Sequence, residues 1–195
     1  NNFQSHGVIV YALTNTTSFE NADIQAGLPV IFPELAEAWI TVGNTEQTGA
    51  LNSTTASDYS RKGAQCGDTK EYCLQADGFE ITGPALNLGG VDLFAPADGP
   101  HGSGTSFATP QVAGAVAILA EAFPNHTPEQ LVDRLLASAF NGYFTHEGAT
   151  TFVNGVEHGY NSEFGHGMVD LSVALSPITT SAFSRSILLG DSAVS

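Results

Sequence analysis

The 195-residue chain carries 20 acidic side chains against 5 basic ones, a formal charge of −15, and 42% hydrophobic residues. That balance suits a packed core in one domain or a large piece of one, and it excludes a disordered chain. The acidic surplus excludes nucleic acid and anionic membrane surfaces as partners, and no stretch reaches the roughly 20 apolar residues of a membrane span.

The chain opens at Asn1 with no methionine and no basic, apolar leader, which predicts a mature product or an excised piece. The stretch HGVIVYALTN, His6 to Asn15, holds a continuous apolar run from Val8 to Leu13. Such a run predicts a strand buried on both faces, as in parallel sheets. PELAEAWITVGNTE predicts a helical turn and then a strand over Trp39 to Val42. Residues 44–66 are rich in Thr, Ser and Gly and read as surface loop. EYCLQADG and VDLFAPADG each predict a short strand ending in turn residues.

Cys66 and Cys73 are the two cysteines. Their spacing is too wide for a CxxC redox motif, and no second pair exists to complete a zinc site. They predict a small-loop disulfide formed in an oxidising compartment, the alternative being two buried free thiols.

The longest helical pattern follows Ser106, with Val112, Val116 and Leu119 at helical spacing among Ala and Gly. A second helix starts at TPEQLVDRLLASAF: Thr127 can cap it, Pro128 suits the first turn, and Gln130 completes a capping box. Residues 141–163 are polar and Gly-rich, and FGHGMVDLSVALSP predicts a turn, a short strand and a short helix. Residues 1–177 form the domain, and 178–195 read as a tail or linker. Strands alternating with helices predict an α/β fold with a mainly parallel sheet, whose sites form at the carboxyl ends of strands.

The junction GSGTSFATPQVAGAVAIL, Gly102 to Leu119, carries the chemistry. A serine hydroxyl needs a base within reach and donors for the oxyanion it creates. A helix N-terminus supplies free amides and a dipole that favours negative charge. Gly102 and Gly104 remove side chains where a substrate backbone would approach. Pro110 denies the Ser106 carbonyl its helical partner and predicts strain beside the site. Taken alone, Ser106 could equally be the N-cap of a buried Ala-rich helix.

GTSFATPQVAG resembles the nucleophile motif of the subtilisin-like serine peptidases, the subtilases, with every element in register. The resemblance implies a subtilisin-like, three-layer α/β fold with a mainly parallel sheet, of which this chain would be the C-terminal half. It implies that Ser106 is acylated and that its backbone amide holds the oxyanion. GVIVYALTN is similar to the family strand that ends in the second oxyanion donor, which implies that role for Asn15. Thr14 stands where the family has glycine, and Asn15 alone could be a turn residue. Ala12, Leu13 and Thr14 would wall the pocket for the substrate residue before the scissile bond, with Gly104 at its edge. FGHGMVDLSVAL resembles the family's closing segment. LPVIFPELAEAWITVG and the two cysteines also resemble subtilase passengers of bacterial autotransporters, which implies a secreted or cell-surface protein.

A subtilase also needs an Asp in Asp-x-Gly and a His in His-Gly-x-His, in the order Asp, His, Ser. None of the six histidines has that setting, and Asp77-Gly78 and Asp98-Gly99 read as turns. Both residues are expected upstream of Asn1, so the partners implied are a protein or peptide substrate and the upstream half of the same domain. His101 reads as a loop residue at the rim and His166 as structural. The chemistry needs no cofactor. Glu20, Asp23, Glu34 and Glu37 could offer oxygens to a structural Ca2+, but their spacing fits no calcium loop, and the metal is left unassigned.

The leading function is an exported serine endopeptidase. The alternative is a non-catalytic subtilase-like domain that binds peptides or a partner. An unrelated esterase would need Gly-x-Ser-x-Gly, and Ala108 stands in the last place.

Overall fold

Strand β1, Ile9–Ala12, lies parallel to β2, Trp39–Gln47, with Ile9 opposite Trp39 and Ala12 opposite Val42. β4, Cys73–Ala76, runs parallel along β2 from Thr41 to Asn44. This computed structural model describes residues 3–82, 102–152 and 155–177. VDLFAPADG, His101 and the 178–195 tail lie outside the described residues.

The sheet is therefore mainly parallel, with one antiparallel addition. β3, Tyr59–Arg61, pairs with Thr45, Glu46 and Gln47 at the far end of β2. Residues 44–66, expected as loop, thus contain the end of one strand and the whole of another. The Thr-rich composition that suggested loop is equally compatible with a half-exposed strand. β1 is half-buried along its length rather than buried on both faces. Among the described residues it has one strand neighbour, β2.

A short helix, α1, Leu28–Ile31, lies between β1 and β2 in the chain, and two longer helices cover the sheet. α2, Thr105–Ala122, packs across β1, β2 and β4. Its buried positions Ala108, Val112, Ala115 and Leu119 form one stripe at helical spacing. They meet Ile40, Val42, Leu74 and Ala76 of the sheet in the main core. α3, Pro128–Ser138, begins at the expected capping box: Gln130 N donates to Thr127 Oγ1 at 3.2 Å, and Thr127 N donates to Gln130 Oε1 at 2.8 Å. Leu131, Leu135 and Leu136 face the core.

Beyond α3, residues 148–160 form a second hairpin, β5 Gly148–Thr151 with β6 Glu157–Tyr160, where the sequence suggested only a polar stretch. The closing strand reduces to single bridges from Met168 to Gln75 and Phe140. A four-residue helix, Leu171–Ala174, follows, capped by Asp170 through Val173 N at 3.0 Å. Buried Arg134 donates from Nε to the Ala174 carbonyl at 2.5 Å and from Nη2 to the Ser176 carbonyl at 2.7 Å, which ties this closing turn to α3.

Candidate active site

α2 starts with Thr105 and Ser106, and its N-cap is Gly104, which has no side chain to cap with. Ser106 is thus inside the first turn and is not the cap, so the N-cap reading of this serine is corrected. Its side chain is exposed, and among the described residues nothing bonds its Oγ or its backbone N–H. Phe107 N and Ala108 N both donate to the Gly104 carbonyl, at 2.9 and 3.3 Å, so among the described residues the Ser106 N–H is the first-turn donor left unbonded at the positive end of the helix dipole once Thr105 N is paired with Asn15. The helix runs through Pro110, whose exposed ring leaves the Ser106 carbonyl without its helical donor but does not end the helix.

Asn15 lies just past the carboxyl end of β1 and meets the start of α2. Thr105 N donates to Asn15 Oδ1 at 2.8 Å, and Thr105 Oγ1 donates to the same oxygen at 3.0 Å. A backbone N–H can only donate, so the atom facing Thr105 is the amide oxygen. The amide Nδ2 is left to face elsewhere, and it donates to none of the described residues. Neighbouring backbone is committed: Leu13 N donates to the Val42 carbonyl, and Ala64 N donates to the Thr14 carbonyl, both at 2.9 Å.

Gly104 has φ of +146°, a region that side chains rarely adopt. A Cβ there would also stand 3.0 Å from Asn15 Oδ1 and 3.2 Å from Nδ2. The glycine lets the asparagine amide approach the helix start.

The other predicted residues fall as follows. Ala12 and Thr14 are half-buried, while Leu13 is 2% exposed, so its side chain points into a small core with Ala26, Ala64, Cys66 and Cys73. With its N–H bonded to Val42 and the whole residue buried, Leu13 lines no surface, unlike Ala12 and Thr14. Cys66 and Cys73 are joined in a disulfide with Cα atoms 6.0 Å apart, both fully buried. Asp23 Oδ1 accepts from Gln25 N and Ala26 N, closing its own turn. Among the described residues no three His, Cys, Asp or Glu side chains are grouped to hold a metal.

The bonds of His146, His158 and His166 go to groups other than Ser106. His166 is fully buried in the closing turn, with Nδ1 3.0 Å from His158 Nδ1 and Nε2 3.1 Å from the Glu71 carbonyl. Burial, then the neighbouring His158, pushes its pKa down to about 3. His158 is likewise lowered by burial and bonds the Ala139 carbonyl at 2.8 Å. The sequence reading missed this pair, since the two rings come together only through the second hairpin.

Residues 1–167 match the Subtilase family. The chain is 29% identical over 140 residues to an extracellular serine protease of Serratia marcescens, covering 65% of this chain and 13% of that protein. It is 30% identical over 177 residues to fervidolysin of Fervidobacterium pennivorans, covering 87% and 22%. The fervidolysin crystal structure superposes with a TM-score of 0.55 at 24% identity, over 89% of this chain and 23% of that one. The prenylagaramide maturation protease PagA superposes equally well, TM-score 0.55 at 21% identity, over 86% of this chain and 49% of that one. The chain thus spans less than a quarter of these curated relatives and about half of the PagA structure.

Proposed function

The chain belongs to the subtilase family, and from that premise we propose that it is part of an exported serine endopeptidase in which Ser106 is the acylated nucleophile. In this reading Ser106 Oγ attacks the carbonyl carbon of a peptide bond and gives its proton to a histidine base. The carbonyl oxygen becomes an oxyanion, held by Asn15 Nδ2 and the Ser106 backbone N–H. The histidine then protonates the leaving amine, and the acyl group stays on Ser106 until water releases it. The observation that supports the proposal is the pair of bonds from Thr105 to Asn15 Oδ1, which holds Asn15 against the residue before Ser106 and leaves its Nδ2 without a bond among the described residues.

The histidine and its aspartate would come from a segment of the same protein N-terminal to Asn1. Two features support a missing half. α2 is apolar on all sides yet buried on one, with Phe107 37% and Ile118 48% exposed. Among the described residues β1 has a strand neighbour on one edge alone. The buried disulfide supports export to an oxidising compartment. Peptide residues before the scissile bond would lie against Ala12 and Thr14, with Leu13 supporting them from the core.

The test is hydrolysis of an unfolded protein substrate by the natural full-length protein and by its Ser106→Ala variant. Activity in the former and its loss in the latter supports the reading. Equal activity in both overturns the role of Ser106, and no activity in either overturns the reading in favour of a domain that only binds peptides or a partner.

A further inference from the structure

We propose that Asn44 is a positioning residue for Ser106, acting through the turn at Gly78. The inference rests on the reading of Ser106 as nucleophile.

β2 presents Ile40, Val42 and Asn44 on one face, since side chains alternate along a strand. The first two are core residues against α2. Asn44 continues that stripe and is 1% exposed. A polar side chain there breaks the pattern, and its Nδ2 is buried with no partner among the described residues. An orphaned buried donor costs stability, so the asparagine is poorly explained by packing.

Its oxygen has a definite task. Gly78 N donates to Asn44 Oδ1 at 2.9 Å. The Gly78 carbonyl in turn accepts from Gly104 N at 2.9 Å. Gly104 is the N-cap of α2, and its carbonyl accepts from Phe107 N at 2.9 Å. The chain of bonds therefore runs from the end of β2 to the first turn that carries Ser106.

The contact leaves no slack. A Cβ on Gly78 would stand 2.5 Å from the Gly104 carbonyl oxygen and 2.8 Å from Ala108 N. Other bonds hold the same turn. Asp77 carboxylate oxygens accept from Gln47 N and Phe79 N, both at 3.0 Å, and the Asp77 carbonyl accepts from Gln111 Nε2 at 2.6 Å. Ile81 and Gly102 exchange backbone bonds at 2.8 and 3.1 Å. Residues 77–81 are thus a template on which the strand entering α2 is laid, and Asn44 sets its height above the sheet. On the other side of Ser106, Thr105 bonds Asn15. A shift at Gly78 would move the serine relative to the asparagine amide, and misplacements of that kind cost rate more than binding.

Asn44→Val separates positioning from packing. Valine restores the apolar stripe and removes the orphaned Nδ2, so the variant folds with a melting temperature within a few degrees of the natural protein. It offers no acceptor to Gly78. In the full-length protein we expect kcat to fall at least tenfold with KM within threefold, and Asn44→Asp, which keeps the oxygen, to recover most of kcat. In parallel, the Gly104 amide should exchange with solvent at least tenfold faster in Asn44→Val, with amides of residues 112–119 unchanged. Unchanged kcat together with unchanged Gly104 exchange overturns the inference, as does equal loss in the Val and Asp variants. Should the unsubstituted protein itself show no turnover, the peptidase reading fails on its own, and the exchange measurement decides the positioning claim.

Discussion

Thr105 and Asn15, ninety positions apart, share one oxygen: the threonine's backbone N–H and its hydroxyl both donate to Asn15 Oδ1, at 2.8 and 3.0 Å. This double contact fixes which way the amide points. It also ties the end of the first strand to the first residue of the serine-bearing helix, so Asn15 and Ser106 are held by one joint. If Asn15 Nδ2 is an oxyanion donor, as proposed, replacing Asn15 by Leu or Asp removes that N–H and should lower kcat by roughly 10²–10³-fold with little change in KM. Thr105→Val keeps the backbone bond and loses the hydroxyl. Its loss should be about 5-fold, the equivalent of one ordinary hydrogen bond. Steady-state kinetics of the three variants tests the ranking.

Gly104 should be intolerant of any side chain. Its φ of +146° and the approach of Asn15 leave alanine strained and pressed against the amide. Gly104→Ala is expected to cost about 1–3 kcal/mol of stability and to reduce kcat as well. Denaturant unfolding read beside kinetics checks both. A variant as stable and as active as the natural protein would show that the helix start can shift freely.

The Cys66–Cys73 bridge closes a loop of sequence separation 7 beneath β4 and the closing turn. Loop-closure entropy for so short a ring gives about 2–3 kcal/mol. The Cys66→Ala, Cys73→Ala double variant should lose that much in equilibrium unfolding. Gln75 Nε2, which lies 3.2 Å from Cys66 Sγ, would lose its neighbour as well.

The buried histidine pair makes stability acid-sensitive. His166 titrates near 3 in the folded protein because burial disfavours its charge, against about 6.5 when unfolded. Between those values the unfolded chain binds a proton that the folded chain refuses. Stability is therefore fully present above pH 6.5 and falls as pH drops toward 3, by up to ~1.4 kcal/mol per pH unit. Asp133, raised to about 6 by burial and then by Glu129, acts in the opposite sense. The comparison is therefore made between the natural protein and His166→Gln, in which Asp133 is unchanged. The difference between their unfolding free energies should shrink on acidification.

The sequence made some of this legible and hid the rest for physical reasons. The start of α2 at the Ser106 junction could be read because glycines and hydroxyls give way there to a run of small apolar residues at helical spacing, whereas the role of the serine rested on resemblance to the family motif. α3 could be read because Thr127, Pro128 and Gln130 encode its start in four residues. The pairings of β2 with β3 and of β5 with β6 were hidden because β3, β5 and β6 are only three or four residues long and carry no apolar run, so alternation is weak. The half-burial of β1 was missed because an apolar run does not say how many neighbours the described chain provides. The Asn15–Thr105 joint, the Asn44–Gly78–Gly104 relay and the His158–His166 contact are all long-range. No spacing rule reaches them, although Asn44 gave one signal, a polar residue in an apolar stripe.

The central claim is that Ser106 is an activated nucleophile, and its most direct test is labelling of the natural full-length protein with a serine-directed phosphonate, mapped by peptide mass spectrometry. The account predicts one adduct, on Ser106, lost in Ser106→Ala and strongly slowed in Asn15→Leu. An absence of any adduct, or an adduct on another serine with Ser106 untouched, would contradict it.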